Sequence, residues 1–207
     1  ISGAPAGASV DPNTGIFTWT PIEAQGPSSN AITITVIDNG TPNLSAAQTF
    51  TVVVNEVNSP PVLAGIPTQS IDEGGALIVA AVATDPDIPA NTIGYSLSLD
   101  PPAGMTINPT TGLLTWTPTE DQGPGTYSVT VQATDDGTPP LSASQTFTVM
   151  VNEVNSPPVL ASIANQTVAR GSRLAVIVTA SDADIPANVL TFDLAPDAPA
   201  GATVNSV

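Results

Sequence analysis

Read for the alternation of apolar and polar side chains, the chain is a succession of short extended segments. Tyr95-Ser96-Leu97-Ser98-Leu99 alternates with a period of two, as do Thr126 to Val131 (TYSVTV) and Gln145 to Val151 (QTFTVMV). That period puts every second side chain on one face of a strand and its neighbours on the other. Leu113-Leu114-Thr115-Trp116-Thr117 follows the turn Asn108-Pro109-Thr110-Thr111-Gly112. Ala76 to Ala83 (ALIVAAVA) is apolar throughout, which by pattern alone fits a buried strand or a short helix. Its shortness and its β-branched residues favour the strand. No helical period persists beyond two turns, and 22 prolines oppose long helices. The two long alternating runs are separated by the turn Asp135-Asp136-Gly137-Thr138-Pro139-Pro140. Evenly spaced short strands with such turns predict an all-β, antiparallel sandwich.

The pattern recurs. The phrase NEVNSPPVLA at Asn55 to Ala64 returns unchanged at Asn152 to Ala161, an offset of 97 residues. At that offset Ala6-Gly7 matches Ala103-Gly104 and Ala200-Gly201, and Trp19-Thr20-Pro21 matches Trp116-Thr117-Pro118. Asp38 to Pro42 (DNGTP) matches Asp135 to Pro139 (DDGTP), and Gln48 to Val52 (QTFTV) matches Gln145 to Val149. A period this long is too great for a solenoid turn and suits whole domains in tandem. The boundaries fall at the repeated phrase. Residues 1–57 are then the second half of a unit, 58–154 a complete unit and 155–207 the first half of a third. Two readings of the halves stand: a piece cut from a longer array, or half units that complete one another between neighbouring chains in a fibre. The chain begins at Ile1 and not at Met, in keeping with a window on something longer.

The tryptophans invite a sugar-stacking role, but Leu114 with Trp116, and Phe17 with Trp19, share a strand face, which reads as core. Tyr127 and Phe147 lie on alternating strands and read the same way.

Composition then narrows the function. Hydrophobic residues are 41% of the chain, enough for packed cores. Eighteen acidic residues face two basic ones, Arg170 and Arg173, with no Lys and no His, for a formal charge of −16. Such a surface repels phosphate backbones, which excludes nucleic acid as a partner, and attracts cations. With no Cys there is no disulfide, thiolate nucleophile or thiolate metal site. With no His there is no imidazole base and no triad. Carboxylate pairs such as Asp85 with Asp87 or Glu120 with Asp121 lack the flanking aromatics of a glycosidase cleft, aromatics being 4%. The chain is not expected to be an enzyme. No apolar run approaches the roughly 18 residues of a membrane span.

The run from Gly112 to Val159 (GLLTWTPTEDQGPGTYSVTVQATDDGTPPLSASQTFTVMVNEVNSPPV) resembles the second half of a cadherin repeat. It shows a Gly-led strand, an acidic element, a Y-x-V-x-V-x-A-x-D-x-G-x-P strand and turn, and a closing linker. Asp85-Pro86-Asp87 stands where cadherin repeats keep D-x-D. Counting the half units, the resemblance covers the chain, and it is nearest to the bacterial cadherin-like or Ig-like repeats of giant surface proteins. It implies seven-stranded Greek-key sandwiches strung end to end outside the cell, each with its neighbouring repeats as partners.

The resemblance also implies calcium at the linkers. Calcium is a hard cation that takes six to eight oxygens, more than one loop supplies. Carried over residue by residue, the first linker would use Glu23, then Glu56 and Asn58, then Asp85, Asp87, Asn91 and Asp135. The second would use Glu73 and Glu120, then Glu153 and Asn155, then Asp182, Asp184 and Asn188. Glu73 enters because cadherins place an early glutamate that reaches the far linker. The chain departs from the pattern at Asn55 and Ser59, and at Asn152 and Ser156, where cadherin linkers carry aspartates. Fewer or weaker ions are expected as a result. In the last unit Arg170 replaces Glu73, which would oppose a cation at the following linker. The competing reading of these acids is turn chemistry alone, since Asp and Asn bond their own backbone in turns. The functional classes that remain are a calcium-stiffened stalk or spacer of a surface protein, a fibre subunit, and a glycan-binding module.

Overall fold

A computed structural model describes residues 1–98 and 100–205; Leu99, the last position of the 95–99 alternation, lies outside the described residues. The first strands come in two antiparallel pairs. β1 (Ser9–Val10) pairs with β2 (Phe17–Thr18), and β3 (Ser28–Ile37) with β4 (Ser45–Val54). The central stretch holds β5 (Val62–Leu63), β6 (Gln69–Asp72), β7 (Leu77–Ala80), β8 (Ala83–Thr84) and β9 (Ile93–Leu97). It continues with β10 (Thr106–Ile107), β11 (Leu113–Trp116), β12 (Gly125–Asp135) and β13 (Ser142–Asn152). A last antiparallel pair joins β14 (Val159–Leu160) to β15 (Ala180–Ser181).

Two layers enclose the central core. One is a four-stranded sheet in the order β6-β13-β12-β9, in which β6 runs parallel to β13 and the other pairs are antiparallel. The facing layer is β10-β11-β7, and the short β5-β8 pair forms a separate two-stranded ladder. The alternation read in sequence sorts the side chains. Val129, Val131 and Ala133 of β12 and Phe147, Val149 and Val151 of β13 are buried, and all but Ala133 cluster with Leu77, Val79, Leu114 and Trp116 from the opposite layer. Hydroxyls point outward and pair across strands, as in Thr130 with Thr146 at 2.7 Å. Thr33 and Thr49 make the same pair at 2.7 Å on β3 and β4.

The 76–83 run is extended, as its β-branched residues favour, but it is not one strand. β7 pairs with β11, while β8 pairs with β5. The handover falls at Ala81-Val82, where the Ala81 N–H donates to the Gly112 carbonyl and the Val82 carbonyl accepts from Ala64. A uniformly apolar run carries no mark of that change of partner, because both partners lie elsewhere in the chain.

Gly112 sits at this crossing-over point with φ +68, and a Cβ there would lie 2.4 Å from the Ala81 carbonyl oxygen. Gly112→Ala is therefore expected to lower stability by about 1–3 kcal/mol, the cost of a left-handed residue plus a displaced backbone contact. Urea unfolding followed by circular dichroism measures it; an unchanged midpoint would show that the turn relaxes freely.

Candidate metal centre

Two crossings connect the three groups of strands: residues 55–61 between β4 and β5, and residues 153–158 between β13 and β14. Each receives side chains from three directions. From behind comes a glutamate on a single 3-10 turn, Glu23 of Glu23–Gln25 and Glu120 of Glu120–Gln122. The turn is tied down by its last residue. The Gln122 side-chain oxygen accepts the Thr119 N–H at 3.0 Å and its amide donates to the Ala103 carbonyl at 3.2 Å. Gln25 does the same to Ile22 and Ala6, both at 3.0 Å. These glutamines are not in the sequence-derived set. The signal for them was present in the spacing E-x-Q-G-P, which occurs at Glu23 to Pro27 and again at Glu120 to Pro124.

From ahead comes an aspartate loop. Asp85 Oδ1 accepts the N–H groups of Asp87 at 3.1 Å and Asn91 at 3.0 Å. Asp182 Oδ1 accepts those of Asp184 at 3.2 Å and Asn188 at 3.3 Å. Asparagine 91 thus joins its loop through its backbone. Turn chemistry accounts for one oxygen of each leading aspartate.

At the first crossing Glu23, Glu56 and Asp87 bring one carboxylate oxygen each within 4.8 Å of the others. Asp87 is 3% exposed and accepts the Ser59 N–H on both oxygens, at 3.2 and 3.1 Å. Asn58, Asp85 and Asp135 are not part of that trio. Asn58 donates its amide to Asp135 Oδ1 at 3.1 Å and to the Pro139 carbonyl at 2.9 Å. Asp135 Oδ1 also accepts from Gly137 and Leu141.

At the second crossing Glu73, Glu120 and Glu153 gather within the same 4.8 Å limit. Glu73 reaches it from the turn after β6, its Oε1 accepting the Val154 N–H at 2.9 Å. Asp184 accepts the Ser156 N–H at 2.9 Å. The Asn188 amide donates to Asn155 Oδ1 at 2.8 Å and to Asp184 Oδ2 at 2.5 Å.

Residues 2–55 and 60–152 match the family described as "Putative Ig domain". The chain belongs to this family. Among curated relatives, this Ig-domain chain is 33% identical over 178 residues to the Protocadherin-like wing polarity protein stan of Drosophila melanogaster, covering 77% of the chain and 5% of that protein. It is 32% identical over 166 residues to Protocadherin Fat 1 of Homo sapiens, covering 75% of the chain and 4% of that protein. The chain thus spans about a twentieth of the length of these relatives. Among solved structures, the Protocadherin gammaB7 EC3-6 cis-dimer superposes with a TM-score of 0.55 at 24% identity, over 87% of this chain and 49% of that one. Drosophila N-cadherin EC1-4 gives 0.53 at 18% identity, over 73% and 39%. The Ig-domain chain therefore consists of cadherin-like, Ig-like β-sandwich repeats.

The donor set of the Ig-domain chain fits a calcium ion. Buried carboxylate oxygens without a partner concentrate at the crossings: Glu73 Oε2 and both oxygens of Glu153 at the second, Asp85 Oδ2 and Asp135 Oδ2 at the first. A buried anionic oxygen without a donor costs free energy that a hard cation recovers. Arg170 and Arg173 are both exposed, and the chain has no further cationic side chain to offer.

The acidity of these groups follows from the crowding. Burial, then repulsion from Glu73, Glu120 and Asp184, pushes the Glu153 carboxyl above its ordinary range. Burial, with Glu73 and Asp184 repelling and the Ile185 N–H opposing, raises Glu120. Burial and the charges of Glu23 and Asp87 raise Glu56. Asp135 is the contrast: burial works against its charge, but the Leu141 N–H, the Asn58 amide and the Gly137 N–H outweigh it and hold the carboxyl low.

A pH dependence follows for the calcium-free chain. Groups raised in the folded state bind more protons folded than unfolded, so their stabilisation is complete below the unfolded value and is lost as pH rises through the folded one. Asp135, Asp38 and Asp11, all lowered, contribute the opposite slope at more acid pH, where their stabilisation is lost as pH falls. In a chelator, the melting temperature is expected to rise as pH is lowered from 7 toward about 4.5, the ordinary range of a glutamate. A melting temperature that falls steadily over that interval would contradict the clustering.

Proposed function

We propose that the chain is an extracellular, non-catalytic stalk or spacer segment of a larger surface protein, with calcium stiffening its crossings. Its units are residues 1–57, 58–154 and 155–207, with 58–154 the complete sandwich. The carrying observation is the meeting of Glu73, Glu120 and Glu153, with three buried oxygens unpartnered, where strand β13 hands over to β14. Those residues come from the turn after β6, the 3-10 turn after β11 and the crossing itself, so an ion held among them ties these segments to one another. Glu23, Glu56 and Asp87 do the same at the first crossing, where Asp85 and Asp135 each keep one buried oxygen without a partner. A bound calcium supplies the positive charge that lets these carboxylates converge. Pro60 and Pro61, and Pro157 and Pro158, restrict φ on the way across.

Calorimetric calcium titration and small-angle scattering of the same sample test the reading. Calcium is expected to bind at micromolar to millimolar levels and to lengthen and narrow the distance distribution. Absence of heat, with identical scattering in calcium and chelator, would sink it.

A further inference from the structure

The acidic clusters gather charge, but at each crossing the glutamate from behind also bonds a backbone group in the loop ahead. Glu23 Oε1 accepts the backbone N–H of Ile88 at 3.0 Å, and Glu120 Oε1 accepts that of Ile185 at 3.0 Å. In each case a glutamate behind the crossing bonds a residue 65 positions ahead, past the linker. The donor is well defined by the loop that carries it. In Asp85 to Asn91 the N–H groups of Asp87 and Asn91 are already given to Asp85, and Pro86 and Pro89 have none. In Asp182 to Asn188 the N–H groups of Asp184 and Asn188 go to Asp182, and Pro186 has none. Ile88 and Ile185 present the N–H that follows the second aspartate, immediately beside the cluster. Glu73 divides its oxygens in a parallel way: Oε1 takes the Val154 N–H and Oε2 is buried without a partner.

We propose that Glu23 and Glu120 are alignment pins as well as ligands: Oε1 holds the loop ahead through its backbone N–H, and the carboxylate is thereby aimed so that its other oxygen faces the ion position. The pin carries direction that an ion alone lacks. Calcium accepts flexible coordination, whereas an N–H to a carboxylate oxygen is directional and among the stronger hydrogen bonds. Ion capture and alignment of the two strand groups become one event, because the carboxylate is aimed only when the loop ahead is seated. The part of this inference that concerns the ion rests on the calcium reading above; the pin itself does not.

The experiment exploits the absence of cysteine from the chain. Ser144→Cys on β13 and Ser172→Cys beyond β14 give two exposed sites for nitroxide labels on the full chain. Pulsed dipolar spectroscopy then reports the spread of distances across the second crossing. Three versions are compared: the parent, Glu120→Gln, which keeps an oxygen to accept the Ile185 N–H, and Glu120→Ala, which does not. Gln122 holds the 3-10 turn in all three, and circular dichroism checks that each folds. With calcium saturation verified by calorimetry, the parent and Glu120→Gln are expected to share one narrow distance peak. Glu120→Ala is expected to broaden it about twofold or more while still binding the ion. An alanine variant as narrow as the parent at saturation would overturn the pin and leave Glu120 a ligand only. A glutamine variant as broad as the alanine one would also overturn it, since charge and not the hydrogen bond would be responsible. If no version binds calcium, the calcium reading fails alone, and the same comparison in chelator decides the pin: glutamine narrower than alanine supports it, equal widths refute it.

Discussion

Trp116→Ala is expected to cost about 3–5 kcal/mol, the range for truncating a buried large aromatic, a large share of the stability of a small sandwich domain. Trp116 is 2% exposed and packs edge-to-face on Tyr127, with ring centroids 5.1 Å apart and planes at 79°. It lies on β11 opposite Leu77 of β7, under the β12-β13 ladder. Its indole N–H donates to the Ala103 carbonyl at 3.0 Å, but that carbonyl also receives the Gln122 amide, so it keeps a partner after truncation. The loss is therefore mainly contact and cavity, with little from an orphaned acceptor. Trp19, its counterpart in the first group of strands, is only half-buried, and Trp19→Ala is expected to cost markedly less. Urea unfolding of both variants, followed by far-UV circular dichroism, gives the comparison. A Trp116→Ala penalty below about 1 kcal/mol would return the ring to the role of an exposed platform.

Calcium is expected to produce the second large effect, and one substitution should reverse its sign. An ion that binds only the folded chain adds about 2.7 kcal/mol at a hundred times its dissociation constant. In its absence Glu153 is a liability: both oxygens are buried without partners, and Glu73, Glu120 and Asp184 all repel it. Glu153→Gln removes one of those charges while keeping the shape. In a chelator at pH 7 this variant is expected to melt at a higher temperature than the parent. In millimolar calcium it should melt lower, because the ion has lost a ligand charge. Parallel melting curves in the two buffers measure both signs. If Glu153→Gln shifts the melting temperature in the same direction with and without calcium, the acids at the second crossing are surface turn residues and not an ion site.

The sandwich and its core were legible because they depend on rules that act within a few residues. The period of two at 126–131 and 145–151 assigns Val129, Val131, Phe147, Val149 and Val151 to one face, and these are the side chains buried against Leu114 and Trp116. Turn residues at Asn108 to Gly112 and Asp135 to Pro140 mark the reversals, since proline, glycine and aspartate act there through their own backbone. The likeness to cadherin repeats brought the acids of the crossings into one candidate set, though it took all of them as ligands alike.

What the tertiary structure decided are the relations between positions far apart in the chain. The break of the 76–83 run at Ala81-Val82 follows from two different partner strands, and an apolar run looks the same whichever it pairs with. Glu73 and Glu153 stand 80 residues apart, and only the parallel placement of β6 on β13 puts the turn after β6 beside the second crossing. The candidate ligands then divide into carboxylate trios, a donor bridge at Asn58 and Asp135, and aspartates already engaged by backbone N–H groups. Composition shows that the acids lack cationic partners; which oxygens are taken by N–H groups and which are left for an ion depends on angles and distances fixed only when the strand groups meet. By itself, then, the sequence determined local conformation, core face and charge. Packing determined which charges converge, because convergence is a property of space and not of spacing.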